Sequence, residues 1–255
     1  DMPAPPATVA EPPYTKTSES PAARKPQTGK SVVGSAVAVQ VQFHNSSRVR
    51  LPVVMMAVSP SVVVVPADSP IKTMADFVAL GKDGKFTVAD SGVGTTNHIA
   101  IELIADLTGT KYTPIHYKGS GQAHIDLIAG QVPAQVDQIN AAIGHIKAGK
   151  MRAIAVSSDK RLPQLPDVPT ARELGLPELT VVSFNGFFGP KEMSAATVEQ
   201  IANDVRDVSA DPEMTARFAK MGSLMRVTSS AEFTKMIADQ RATVEGILRA
   251  TGELK

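Results

Sequence analysis

The side chains best suited to chemistry gather between Asp90 and Asn140, in three short segments that each join a strand-like run to a helix-like run. The sharpest is Asp90–His98, DSGVGTTNH. Gly92 and Gly94 let the backbone turn tightly. Free N–H groups at a helix start, with the Ser91, Thr95 and Thr96 hydroxyls, would face an anion. Such a neutral cradle suits a carboxylate. It is not a phosphate loop, because the G-K-[ST] ending is absent, and it is not the dinucleotide fingerprint. The same residues also fit an ordinary glycine turn with a Thr N-cap, and the motif alone does not separate the two. The second segment is His116–Gln122, HYKGSGQ, where Lys118 is placed either to contact an anion or simply to be solvated. The third is Gln135–Asn140, QVDQIN. Its Asp137 falls near a strand end and could accept from a ligand amine, orient a loop, or cap a helix starting around Asn140. In open parallel sheets ligands sit outside the carboxyl ends of strands, so both glycine loops could line one cleft.

Other chemistries find no support. There is no G-x-S-x-G elbow and no H-E-x-x-H pair. The five histidines (His44, His98, His116, His124 and His145) show no metal-ligand spacing, and no carboxylate pair stands out as an acid–base couple. The chain has no cysteine, which excludes disulfides, thiol catalysis and cysteine-bound metals. The expectation is a protein that is not an enzyme, with no cofactor and no metal. Net charge is +1 and aromatic residues make up 4 %, without the basic, aromatic-studded stripe of a nucleic-acid binder. No apolar run reaches the roughly 18 residues a membrane helix needs. The start, DMPAPPATVAEPPYTK, lacks a basic then apolar leader pattern, so either a leader has been removed or this is not the native start.

The elements that must position these loops read as α/β. Residues 1–50 are Pro-rich and compositionally disordered, with strand-like alternation only at Ser31–Phe43. Beyond them strands and helices alternate: strand Ser61–Val65, helix Met74–Gly81, strand Lys85–Ala89, helix Asn97–Leu107 stopped by Gly109, and a strand ending near Tyr117. A helix through Leu127, strand Val132–Gln138, helix Asn140–Ala148 and strand Met151–Ser157 follow. This order predicts βαβ units and mostly parallel sheets. Thr170–Glu173 and Ser229–Glu232 read as capping boxes that open helices, and a helix from near Ala195 carries Val198, Ile201, Val205 and Val208 on one face.

From about Leu51 onward the chain resembles the substrate-binding receptors of tripartite tricarboxylate transporters, the Bug-type periplasmic solute-binding proteins. The resemblance lies in VPADSPIKTMADF (Val65–Phe77), FTVADSGVGTTNH (Phe86–His98), IHYKGSGQAHIDLIAGQ (Ile115–Gln131), AGKMRAIAVSS (Ala148–Ser158), RLPQLPDVPTARELG (Arg161–Gly175) and FNGFFGP (Phe184–Pro190). It implies a two-domain, type II periplasmic-binding-protein-like α/β fold joined by crossing strands. Residues 51–59 and 184–255 would form the first domain, and 60–183 the second. It also implies a small carboxylate ligand in the interdomain cleft: a di- or tricarboxylate, an acidic amino acid or an aromatic acid. Backbone N–H groups, hydroxyls and water would hold it, rather than an arginine. Membrane permease subunits are the implied partners, in the periplasm, without a membrane span in the receptor itself. Ligand contacts are expected from Ser91, Gly92, Gly94, Thr95, Thr96 and His98, then Tyr117, Lys118 and Gly119, with Asp137, and with Phe184 and Asn185 at the hinge. Such receptors open with a strand and a Pro-Gly-Gly loop that residues 1–50 do not show, so the first domain is expected to be incomplete. Two rivals remain: an enzyme on the same scaffold, and a sensor or interaction protein that kept the fold and lost the pocket.

Overall fold

The computed structural model describes residues 50–250 apart from 180, all within one compact unit. The Pro-rich segment and the Ser31–Phe43 strand expectation lie outside the described residues.

One strand organises everything else. β1, Arg50–Pro66, is 17 residues long and rich in Val and Met, which suit a pleated, two-sided surface. Only its end, Ser61–Val65, reads as a strand in the sequence. Pro52 hides the rest, because a proline cannot donate to a ladder and argues against a central strand. The structure accommodates Pro52 at a shift of register between Pro52 and Val54.

The first part of β1 pairs antiparallel with β6, Val182–Pro190, and with the two-residue β7, Leu224–Met225. Its last part, from Ser61, pairs antiparallel with β4, Gln135–Gln138, and β5, Met151–Val156. β2, Thr87–Asp90, lies between β3, Thr113–His116, and β4, parallel to both. The order is β3-β2-β4-β1-β5. The sheet is therefore mixed. Parallel pairing holds for β2, β3 and β4, as the βαβ reading expects, whereas β1 runs antiparallel to all four of its neighbours.

Side-chain alternation along β1 serves both faces. Val62 and Val64 pack with Leu127, Ile139 and Val156; Val63 and Val65 pack with Phe77, Ile101, Ile104 and Ile154. The helices that supply these partners are α1, Met74–Leu80, α2, Thr96–Thr108, α3, Ser120–Ile128, and α4, Ile139–Lys147. Around the earlier part of β1, Val53 and Val54 meet Ala202 and Ile201 of α5, Ala195–Ser209, while Met55 and Val58 meet Phe233 of α7, Ser230–Ala250.

One local expectation is corrected, and one helix is added. The Thr170–Glu173 box forms, with Thr170 N–H donating to Glu173 Oε2 at 2.8 Å and Glu173 N–H to Thr170 Oγ1 at 3.2 Å, yet only turns follow it. Gly175, at φ +81°, ends the segment before a helix can grow. Helix α6, Pro212–Lys220, escaped the sequence reading although Asp211 and Pro212 are a cap and first-position signal; Asp211 Oδ1 accepts from Glu213 N–H at 2.7 Å.

Candidate functional site

The site is built where β2, β3 and β4 end and α2, α3 and α4 begin. At the end of β2 the chain folds on itself. Asp90 is fully buried, and its Oδ1 accepts from Gly92 N–H at 2.7 Å. Gly92 carbonyl accepts from Thr95 Oγ1 at 2.7 Å and Thr95 N–H at 3.2 Å. Thr95 is the N-cap of α2, accepting from His98 N–H, and Gly94 N–H donates to His98 Nδ1 at 3.1 Å. Gly92 and Gly94 take φ of +133° and +70°, which side chains other than glycine's resist. The glycine turn with a Thr N-cap is thus formed, and the turn is exposed to solvent at Val93.

The hydroxyls are less free than a bare cradle requires. Ser91 and Thr95 are buried, and Ser91 Oγ accepts from Asn97 Nδ2 at 2.8 Å. Thr96 Oγ1 pairs with Ser183 Oγ of β6 at 2.8 Å, tying the start of α2 to β6.

The second loop abuts the first. Tyr117 N–H donates to Asp90 carbonyl at 3.2 Å, and a side chain at Gly92 would sit 3.2 Å from Tyr117 carbonyl oxygen. Lys118 is exposed. Gly119, at φ +120°, is the N-cap of α3 and offers no side-chain bond to the helix. Gln138 at the start of α4 offers none either. Three helix N-termini thus meet at one end of the sheet, and two lack a side-chain cap. Such ends carry partial positive charge and unsatisfied donors.

Asp137 ties the loops together. Fully buried, it accepts from Asn97 Nδ2 at 3.0 Å, Ser120 Oγ at 2.7 Å, Gln135 Nε2 at 3.3 Å and its neighbour Gln138 N–H at 2.7 Å, and its Oδ2 lies 2.5 Å from His124 Nε2. Of the three roles open to it in the sequence, the geometry is that of a loop-orienting carboxylate. Asn97 and Ser120 lie within the expected segments but were not named as contacts, and His124 lies outside them; each joins Asp137 across 13 to 40 positions of sequence.

Histidines and carboxylates pair beneath the loops. His116 Nδ1 lies 2.8 Å from Asp90 Oδ2, and the His98 and His116 rings meet edge to face at 4.7 Å. Burial pushes the Asp90 carboxyl up, against the opposing pull of Gly92 N–H and the two histidines. His145 meets His124 edge to face at 5.0 Å and is held below its usual value, first by burial and then by His124 and Lys150. Burial, with help from Asp126, which accepts from Tyr117 Oη at 2.7 Å, pushes the Tyr117 phenol up to about 12. Among the described residues, no group of three or more histidines and carboxylates is placed to hold a metal.

Phe184 reaches the site through a second feature, a cleft of about 260 Å³ beside β6 whose lining includes Thr96, Ile99, Val182, Phe184, Met236 and Val244. Asn185, on β6, pairs with Ala57 of β1.

A family model described as "Tripartite tricarboxylate transporter family receptor" matches residues 33–253. The chain belongs to that family. A protein encoded in the tcbD-tcbE intergenic region of Pseudomonas sp. strain P51 is 35 % identical over 182 residues, covering 70 % of this chain and 54 % of its own length. The chain thus spans about half the length of that relative. Among solved structures, that of a periplasmic transporter superposes with a TM-score of 0.72 at 29 % identity, covering 78 % of this chain and 67 % of the other. An R. palustris protein solved with adipate gives 0.75 at 24 % identity, covering 84 % and 73 %, and supports the fold. The family is one of periplasmic solute-binding receptors rather than enzymes. Among the described residues no helix of this receptor-family chain is long and apolar enough to cross a membrane.

Proposed function

We propose that this chain is the ligand-binding part of an extracytoplasmic solute receptor that takes a small carboxylate and delivers it to the membrane subunits of a tripartite transporter, in the periplasm. The observation that carries this reading is the convergence of three helix N-termini on one side of the sheet, with those of α3 and α4 lacking side-chain caps. A carboxylate would satisfy their donors, and no arginine stands in any of the three loops to demand a phosphate instead. The adipate carried by the R. palustris neighbour points to a dicarboxylate first. Residues 60–183 would form one lobe and 51–59 with 184–255 the other, closing about β1 and β6. Gly119, Ser120 and Thr96 are the contacts this reading favours; Ser91, Thr95 and His98 act through the shape of the loop.

A second reading, a sensor or interaction protein that no longer binds, draws on a different observation. The amides of Gly92, Gly94 and Thr95 are already engaged within the loop.

A thermal-shift screen of the purified chain separates the two, using adipate, malate, citrate, aspartate, glutamate, nicotinate and benzoate. A ligand at about 100 times its dissociation constant adds roughly 2.7 kcal/mol, several degrees in Tm. A shift with one acid, abolished in Gly119→Ala, is the expected result. A cooperative transition that no acid moves would favour the second reading.

A further inference from the structure

We infer that His98 is a positioning residue that holds the Gly92–Thr95 turn only while its ring is neutral, so that proton uptake by His98 releases the turn. The effect on a bound acid rests on the function proposed above; the effect on the turn does not.

The chemistry follows from one hydrogen bond. Gly94 N–H donates to His98 Nδ1 at 3.1 Å. A main-chain amide can only donate, so Nδ1 must carry a lone pair and the ring proton must sit on Nε2. Nε2 faces Glu102 Oε1 at 3.7 Å, on the next turn of α2. The ring is fully buried, so it cannot swing into solvent to relieve a conflict. Gly94 sits at φ +70° with nothing within 4 Å of where a Cβ would stand. The bond to His98 therefore holds the Gly94 amide alongside the bonds that Thr95 N–H and Oγ1 make to Gly92 carbonyl and that Gly92 N–H makes to Asp90.

The surrounding charges decide how readily the ring takes a proton. Among the described residues, Asp90 approaches from β2, Glu102 from α2 itself, and His116 from β3, edge to face at 4.7 Å. Of these, the Asp90 and Glu102 carboxylates favour the imidazolium, and burial opposes it. Once Nδ1 is protonated, two donors face each other across the former bond. The Gly94 amide must turn away, and Gly92–Thr95 moves with it.

The test reads Gly94 directly. Amide hydrogen exchange by NMR, expressed as a protection factor to remove the intrinsic pH effect, is followed from about pH 8 to about pH 5, across the ordinary histidine range. Protection at Gly94 is expected to fall about tenfold, the equivalent of one hydrogen bond. His98→Asn places an amide oxygen near the position of Nδ1, which accepts from Gly94 without titrating; its protection is expected to stay flat. Constant protection in the unaltered chain overturns the inference. So does an unchanged pH response in His98→Asn, which would assign the titration to the Asp90–His116 pair. Should that variant not fold, the ring nitrogen shifts of His98 in the unaltered chain decide: a proton on Nε2 at about pH 8 supports the inference, and a proton on Nδ1 overturns it. Any acid found in the screen is expected to bind more weakly at the lower pH. If Gly94 responds as stated and no acid binds at either pH, the histidine latch stands and the binding function fails.

Discussion

At the residue scale, Asp137 shows how one buried carboxylate can tie three loops together. Its oxygens are surrounded by the Asn97, Ser120 and Gln135 side chains, the Gln138 amide and His124. Truncation strands all of these donors in a buried place. Asp137→Ala is expected to lose about 3 kcal/mol in urea unfolding, since breaking a buried charged network leaves its partners unpaired. Asp137→Asn keeps one acceptor oxygen and should lose less. Equal stability of Asp137→Ala and the unaltered chain would show that the network is solvated rather than locked. The sequence placed Asp137 at a strand end and no further. Residue type and spacing reveal which groups can bond, whereas the partners come from elements that only folding brings together. For the same reason His98 read as a ligand contact and proved to be wholly buried.

At the scale of elements, what was legible had strong local causes. α2 starts at a capping Thr95 and stops at Gly109 in the left-handed conformation, both visible as residue types. The length of β1 was not legible, because its first part is a strand only by virtue of β6 and β7 beside it. Gly186 of β6 records how close that association is. A Cβ there would stand 2.6 Å from Phe233 Cζ and 2.8 Å from Val54 carbonyl oxygen. The ring could turn aside, but the carbonyl belongs to β1 and cannot. Gly186→Ala is expected to destabilise by about 1–3 kcal/mol, the usual cost of overpacking, read as a lower urea midpoint with unchanged slope. A neutral outcome would mean that β1 and β6 slide more freely than their register implies.

At the scale of the whole molecule, the resemblance read from the loop segments and the α/β class agree with the family match and with the solved relatives. The mixed character of the sheet did not show, because strand direction depends on where a crossover lands and not on the pattern within the strand. β1 has one more consequence. Among the described residues, all four hydrophobic clusters draw on it: Val63 and Val65 in one, Val62 and Val64 in the next, Met55 and Val58 in the third, Val53 and Val54 in the last. No cluster can melt while β1 stays in place for the others. Cooperativity is therefore written into a single strand: calorimetry should show one heat-absorption peak, with calorimetric and van't Hoff enthalpies equal. Leu127→Ala and Phe233→Ala, in separate clusters on opposite parts of β1, should each lower that one peak without splitting it, whereas two resolved peaks would mean that the strand can come apart in the middle.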